Sequence, residues 1–147
     1  MARQHHMTAR YGDKSGDFEA ELEDFRELAM AAIEQTIQDI VIQIGESLIN
    51  LSPVDTGRFK ANWQFTIGAP ANSSLIATDK EGDETIAKLI AAVNALEPGQ
   101  VAYIVNTLIY AIPLEYGHSQ MAPNGMVRLT IAEFDRIVAE AVARNTV

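Results

Sequence analysis

Apolar residues recur every three or four positions between residues 17 and 50, and this is the clearest pattern in the chain. The stripe consists of Leu22, Phe25, Ala29, Ile33, Ile37, Ile40, Ile44 and Leu48. Such spacing places apolar side chains on one face of a helix. Acidic residues crowd the first turns, where the helix dipole favours them, and Ser52-Pro53 supplies a stop. The pattern predicts a long N-terminal helix, closely crossed by another element at Gly45.

Later patterns predict four short strands. Trp63, Phe65 and Ile67 alternate with polar residues, which is typical of a half-buried strand. The other three strands are expected at residues 74–78, in "QVAYIVNT" (100–107) and in "LIYAIPLEY" (108–116). Pro113 interrupts the last of these, as an edge strand allows.

Helical spacing recurs twice more. A middle helix is predicted over residues 83–97, with Asp83 as its N-cap and Pro98-Gly99 as its terminator. A C-terminal amphipathic helix is predicted from Met126 to Arg144. Strands and helices mix without regular βαβ alternation, so we expect an α+β fold, with helices packed on one face of an approximately four-stranded, mostly antiparallel sheet.

Composition places limits on the domain organisation and on the compartment. Residues 1–16 lack an apolar period and indicate a flexible N-terminal arm, which leaves residues 17–147 as a single domain. The chain has no cysteine, so disulfides and thiolate metal sites are excluded. A polar N-terminus and the lack of a long apolar run predict neither a signal peptide nor a membrane span. We therefore expect synthesis in the cytoplasm.

The acidic balance bears on nucleic acid binding. The formal net charge is -9, whereas proteins that wrap DNA concentrate Lys and Arg to bind phosphate. Tight DNA binding is therefore not expected. The same charge suits a surface that DNA passes without adhering, because like charges repel within a Debye length.

Asp55-Thr56-Gly57 spells the triplet that presents the catalytic carboxylate of aspartic proteases. A protease needs two such carboxylates sharing a proton in a β framework, but here a single triplet follows a helix stop and Arg58 favours the ionised form. A structural corner explains the residues more directly. Asp55 can form an Asx-turn and Gly57 can adopt positive φ, so Pro53, Asp55, Thr56 and Gly57 are interpreted as a turn.

Other candidate chemistry is sparse. His118 is alone in a polar loop, and the carboxylates of residues 17–27 lack the spacing of a calcium-binding loop. We therefore predict no catalytic residue, no cofactor and no metal site, and the chain is not expected to be an enzyme.

Two stretches together suggest a relationship. A helix ending in "SPVDTGRFKANW" is followed later by "NTLIYAIPLEYGHSQMAPNGMVRLTIAEF". This combination resembles the neck and tail-completion family of long-tailed bacteriophages, which includes a tail component of lambda-like phages. The matching positions are Pro53, Val54, Asp55, Thr56, Gly57, Arg58, Asn106, Tyr110, Ala111, Glu115, Tyr116, Gly117, Pro123, Gly125 and Arg128. The chain departs from the family pattern in its longer "GHSQMAP" loop and its acidic first helix.

The resemblance covers roughly residues 20–145 and implies a structural virion protein. Such a protein joins the head connector to the tail tube as a ring, expected to contain six copies, around the DNA channel. Its implied partners are further copies of itself, a head-closure or connector protein, and the tail tube or tail terminator. Genomic DNA would pass without specific binding, and no membrane is involved. The implied location is the virion neck, after assembly in the host cytoplasm.

A ring requires two different surfaces on each subunit. The edge near Pro113, the "YGHSQMAPNGM" loop and a helix face are candidates, although an ordinary turn and a covered edge would explain the same residues. The candidate interface residues are Arg58, Tyr116, His118, Met121, Met126 and Arg128. An alternative function is an adaptor or chaperone that assists head-tail joining without remaining in the particle.

Overall fold

The computed structural model describes residues 6–146, with side chains described from residue 16 onward. Within that part of the chain the elements are α1 (His6–Leu51), α2 (Arg58–Ala61), β1 (Trp63–Ile67), α3 (Asp83–Val93), β2 (Ala102–Asn106), α4 (Ala111–Glu115), α5 (Val127–Ala132) and α6 (Phe134–Arg144). None of these described helices combines the length and apolar character needed to span a bilayer.

The long N-terminal helix is confirmed, and it is longer than predicted. It ends at Leu51, next to the predicted stop, but it begins at His6 and so runs through most of the segment expected to be an arm. Residues 1–5 of that arm lie outside the described residues. The expectation that the arm is flexible in solution stays a prediction.

Two hydrophobic clusters flank the C-terminal half of α1. Leu48 enters the first cluster with Phe59, Leu108, Ala122 and Met126. Its neighbour Ile49 enters the second cluster with Leu89 and Val93 of α3. The core therefore lies on both sides of one helix.

The predicted close crossing at Gly45 is confirmed. A Cβ atom at this position would overlap Leu89 Cδ2 and would lie 3.2 Å from Leu89 Cγ. Leu89 is itself only 6% exposed, so it has little room to move. The glycine lets α3 pack against α1 at short range.

The predicted four-stranded sheet is wrong. The described residues are mostly helical and contain one antiparallel pair of strands, β1 and β2. In that pair Trp63 lies opposite Asn106, and Ile67 lies opposite Ala102. The strand predicted in "QVAYIVNT" is therefore present, while those predicted at 74–78 and 108–116 are absent.

A side chain replaces the expected strand pairing at residues 74–78. The buried amide of Asn62 accepts a hydrogen bond from Leu75 N at 2.7 Å and donates one to Leu75 O at 3.0 Å. Both backbone groups of Leu75 are thereby satisfied without a neighbouring strand. The segment packs as an irregular loop along the start of β1.

The segment expected to be the last strand instead contains a helix, α4. Pro113 lies in the first turn of α4, where a missing N–H costs little because that donor has no partner within the helix. Leu114 N, one residue later, already donates to Tyr110 O at 3.1 Å. The β-branched and aromatic composition of this segment favoured a strand, but tertiary packing prevailed.

The two remaining helices differ from prediction in their ends. α3 begins at Asp83, but the predicted capping role of Asp83 is wrong: Gly82 is the N-cap, and the Asp79 carboxylate accepts from Gly82 N at 2.9 Å and Thr85 N at 2.8 Å. The helix ends at Val93, earlier than the predicted residue 97. The C-terminal helix is divided at Glu133, whose N–H donates to Thr130 O in a tightened turn. This break lets α6 bury Ile137 separately from α5.

We predict that alanine has opposite effects at two glycines of α1. Gly45→Ala should destabilise the domain despite a helix-propensity gain of about 1 kcal/mol, because the new methyl overlaps Leu89. Gly16→Ala is the matched control, since nothing lies within 4 Å of the position that its new methyl would occupy, and it should be neutral or stabilising. Thermal melts followed by circular dichroism measure both. Equal melting temperatures for the two variants would contradict the close crossing.

Candidate functional site

The corner between α1 and α2 is held by side-chain hydrogen bonds. Ser52 Oγ donates to Leu48 O at 2.6 Å and accepts from Trp63 Nε1 at 2.7 Å, so it ties the end of α1 to β1. Thr56 Oγ1 accepts from Arg58 N at 3.2 Å. Among the described residues, the exposed Asp55 has no hydrogen-bond partner, and the local turn bond expected of it is made by Thr56.

Gly57 is required at the corner for two reasons. Its φ is 89°, which confirms the predicted positive φ and disfavours any residue with a Cβ. A Cβ would also lie 2.6 Å from Lys80 N and 2.7 Å from Asp79 C. Gly57 O accepts from Asp79 N at 2.9 Å, so the corner is joined to the residue that caps α3.

A groove of about 580 Å³ lies between the corner and α4. Its lining combines Pro53, Val54, Asp55, Thr56, Gly57, Arg58 and Phe59 from the corner with Tyr110, Leu114, His118, Ser119 and Met121. Phe59 lies 5.9 Å from Tyr110 between ring centroids and is 5% exposed. Met121, by contrast, is 67% exposed. The groove thus brings the predicted turn together with three predicted interface residues, Arg58, His118 and Met121.

The other three predicted interface residues lie outside the groove lining. Met126 is 1% exposed and belongs to the first cluster, so it is a core residue of the isolated chain. Tyr116 is 67% exposed, and the guanidinium of Arg128 lies 5.2 Å from its ring centroid. Arg128 and Tyr116 therefore remain surface residues, whereas Met126 does not.

Glu115 holds the loop that carries His118 and Met121. Its carboxylate accepts hydrogen bonds from Met126 N at 2.8 Å, Val127 N at 2.8 Å and Arg128 N at 3.0 Å. The Arg128 side chain closes the arrangement by donating from Nε to the same carboxylate at 3.2 Å and from Nη2 to Glu115 O. One carboxylate thereby closes the loop from α4 to α5.

Two glycines permit this closure. A Cβ at Gly117 would lie 2.6 Å from Pro123 O, and a Cβ at Gly125 would overlap Glu115 O. Both glycines also have positive φ. The Glu-Tyr-Gly and Pro-x-Gly segments of the sequence are therefore two sides of one closed loop.

The hydrogen bonds to Glu115 also change its acidity. Partial burial raises the pKa of Glu115, but the three backbone donors and the Arg128 side chain outweigh it, so the pKa lies below its ordinary value of 4.5. The loop is therefore most stable when Glu115 is ionised.

A second unusual surface lies on the N-terminal half of α1. Several large apolar side chains of this half are about half exposed: Phe18 (57%), Leu22 (51%), Phe25 (58%), Leu28 (60%) and Ile33 (49%). We call Phe18, Leu22, Phe25 and Ile33 the α1 stripe. Its continuation at Ile44 and Leu48 packs against the domain. The stripe therefore extends the apolar face of α1 past the point where the domain covers it.

The chemistry of the groove is limited. Asp55 is the one carboxylate in its lining, and no hydrogen bond joins it to His118 or Ser119 among the described residues. No group of three His, Asp or Glu side chains in the described part of the chain could hold a metal ion. The groove offers an aromatic floor and a flexible Met121 side chain, which suit contact with an apolar group of a partner.

Sequence reasoning missed three features. It did not anticipate the capping roles of Asp79 and Glu115, or that the corner and the α4 loop form one groove. The sequence did contain a signal for the two capped helix starts: Gly82 and Gly125 each lie just before a helix, and both adopt positive φ. Comparisons of the chain with family models, curated proteins and solved structures find no match.

We predict that Gly57→Ala costs about 1–3 kcal/mol, because the variant combines an unfavourable φ with overlap against Asp79 and Lys80. Gly68→Ala is the matched control, since Gly68 has φ 90° but nothing within 4 Å of the added methyl. Gly68→Ala should cost only about 1 kcal/mol, and Asp55→Asn should cost less still. Urea unfolding measures all three. A Gly57→Ala cost equal to that of Gly68→Ala would show that the neighbouring backbone yields.

We predict that Glu115→Gln destabilises the domain by about 1–3 kcal/mol at neutral pH, because charge-assisted hydrogen bonds are lost. The folded-state pKa is lowered, so the stabilisation is complete above 4.5 and is lost as the pH falls through the folded-state pKa. The difference between wild type and variant should therefore shrink in acid. Unfolding as a function of pH measures it, with Glu97→Gln as control, because the Glu97 side chain is exposed. A difference independent of pH would contradict the proposed role of the charge.

Proposed function

We propose that this chain is a structural protein of the bacteriophage neck, which joins the head connector to the tail tube as a ring around the DNA channel. The observation that carries the assembly part of this proposal is the α1 stripe. Isolated helices are marginal in water, and most of their stability in proteins comes from packing of the apolar face. A long helix that displays such a face outside its own domain is typical of a subunit that is completed by neighbours.

The assignment to a phage neck rests on the sequence resemblance. The residues that carry it have interlocking structural roles around the groove. Asn106 Nδ2 donates to Phe59 O at 2.8 Å, linking β2 to α2 beside the corner. Glu115 and Arg128 hold the following loop closed. These contacts give a physical reason for the spacing of the motifs, which supports treating them as one pattern.

The distribution of charge also fits the proposed location. Residues 17–34 contain seven carboxylates against one guanidinium, so they carry -6 of the chain's formal charge of -9. The rest of the chain is close to neutral for its size. An acidic helix near the channel would repel the phosphate backbone and let DNA pass without adhering.

The proposal is tested by deleting the coding sequence from the phage genome that contains it. We expect filled heads and separate tails in electron micrographs, with joining restored by the wild-type chain supplied in trans. Mass spectrometry of purified wild-type particles should find the chain in a fixed copy number. Asp55→Asn should restore joining fully, because we assign Asp55 no catalytic role. Joined particles that lack the chain would instead support the chaperone alternative, and normal joining in the deletion would overturn the proposed function.

A further inference from the structure

Two separate apolar surfaces have no partner among the described residues of the same chain. One is the α1 stripe. The other is the groove, in whose lining Met121 is 67% exposed and Tyr110 is 40% exposed. The first surface is convex and aromatic, whereas the second is concave with an aromatic floor. Such surfaces complement each other as an anchor side chain complements a pocket.

The dimensions prevent a chain from filling its own groove with its own stripe. A straight helix of 46 residues is about 70 Å long, whereas a domain of about 100 residues has a radius of gyration near 13 Å. Gln38, which donates to Leu96 O at 3.1 Å, is the first α1 residue that forms a hydrogen bond outside α1 within the described chain. Phe18 lies twenty residues earlier, about 30 Å along the axis. The stripe can therefore reach a neighbouring molecule but not its own corner.

The charges distinguish between the surfaces that could receive the stripe. Pairing α1 with α1 of another copy would bring two segments of charge -6 together, and like charges at such an interface oppose association. The groove contributes Asp55 and Arg58, whose charges cancel. Arg58 is not ion-paired within the described residues, and its Nε donates to Leu75 O at 3.1 Å. The groove thus accepts an acidic helix without strong repulsion and offers it one cation.

We propose that the α1 stripe of one copy docks in the groove of a second copy, with Phe18 or Phe25 as the anchor. The proposal rests on the ring proposed above and names the surfaces that build it. Each copy donates one helix and receives another, so the contact is heterologous and repeats from subunit to subunit. A ring forms when the rotation between neighbours closes.

The test mixes two association-defective variants of the full chain. The helix variant is Phe18→Ala with Phe25→Ala, and the groove variant is Met121→Asp. Each variant alone should associate at least about tenfold more weakly than wild type in sedimentation equilibrium. Their equimolar mixture should form a heterodimer, because one intact helix and one intact groove remain. All changed side chains are more than half exposed, so the melting curves should stay close to wild type.

Matched controls separate this interface from general loss of apolar surface. Ile131→Ala removes a side chain that is 66% exposed on α5, away from both surfaces, and should leave association unchanged. Should Met121→Asp unfold, His118→Asp takes its place, because His118 also lines the groove and is exposed.

Other outcomes would overturn the proposal. A groove variant that associates like wild type while the helix variant does not would indicate pairing of α1 with α1. Wild type that stays monomeric at its highest soluble concentration would indicate that a different protein covers the stripe. Neither result bears on whether virions contain the chain, so failure of this interface is distinguishable from failure of the proposed function.

Discussion

Leu48 and Ile49 are adjacent in α1, yet they belong to two different hydrophobic clusters. The two halves of the core are therefore joined through this one helix. Neighbouring helix positions point about 100° apart, so a single helix can contact elements on two sides. Phe59 and Met126 pack around Leu48, while α3 packs around Ile49. The close approach of α3 depends on the missing side chain at Gly45. α6, α5, α2 and β1 also contact this helix, whereas β2 is held by its pairing with β1.

Polar side chains then fix the connections that the clusters leave undefined. Asn62 satisfies Leu75 in place of a strand, Asp79 caps α3, and Glu115 caps α5. Each of these groups bonds to backbone donors or acceptors that the helices and strands leave without a partner. The groove is a consequence of this arrangement, because hydrogen bonds hold the corner on one side of it and the loop from α4 to α5 on the other. A preformed groove loses little freedom when a partner binds.

The same helix that organises the domain also extends beyond it. Stability and assembly are therefore physically coupled in α1, since its C-terminal half is covered by the chain itself, whereas residues 16–28 are exposed. In the proposed contact, docking of the exposed half would bury its aromatic residues against a neighbouring copy. The acidic residues beside the stripe limit which surfaces can accept it, which favours a specific contact over general aggregation.

The sequence by itself determined the elements whose signals are local and strong. The helix α1, the strand β1 and the positive φ of Gly57 follow from side-chain spacing and backbone sterics, and all three are found. Whether residues 74–78 and 108–116 form strands depended on partners distant in the chain. β propensity describes how a side chain fits a half-buried surface, so it does not decide whether a segment finds a neighbouring strand. Here Asn62 bonds to residues 74–78 in place of a strand, and residues 108–116 pack against the first cluster as part of α4 and the turn before it.

The groove and the burial of Met126 likewise arose only when residues far apart in the chain came together. Local patterns specify helices and turns, whereas pairing and burial are decided by the whole fold.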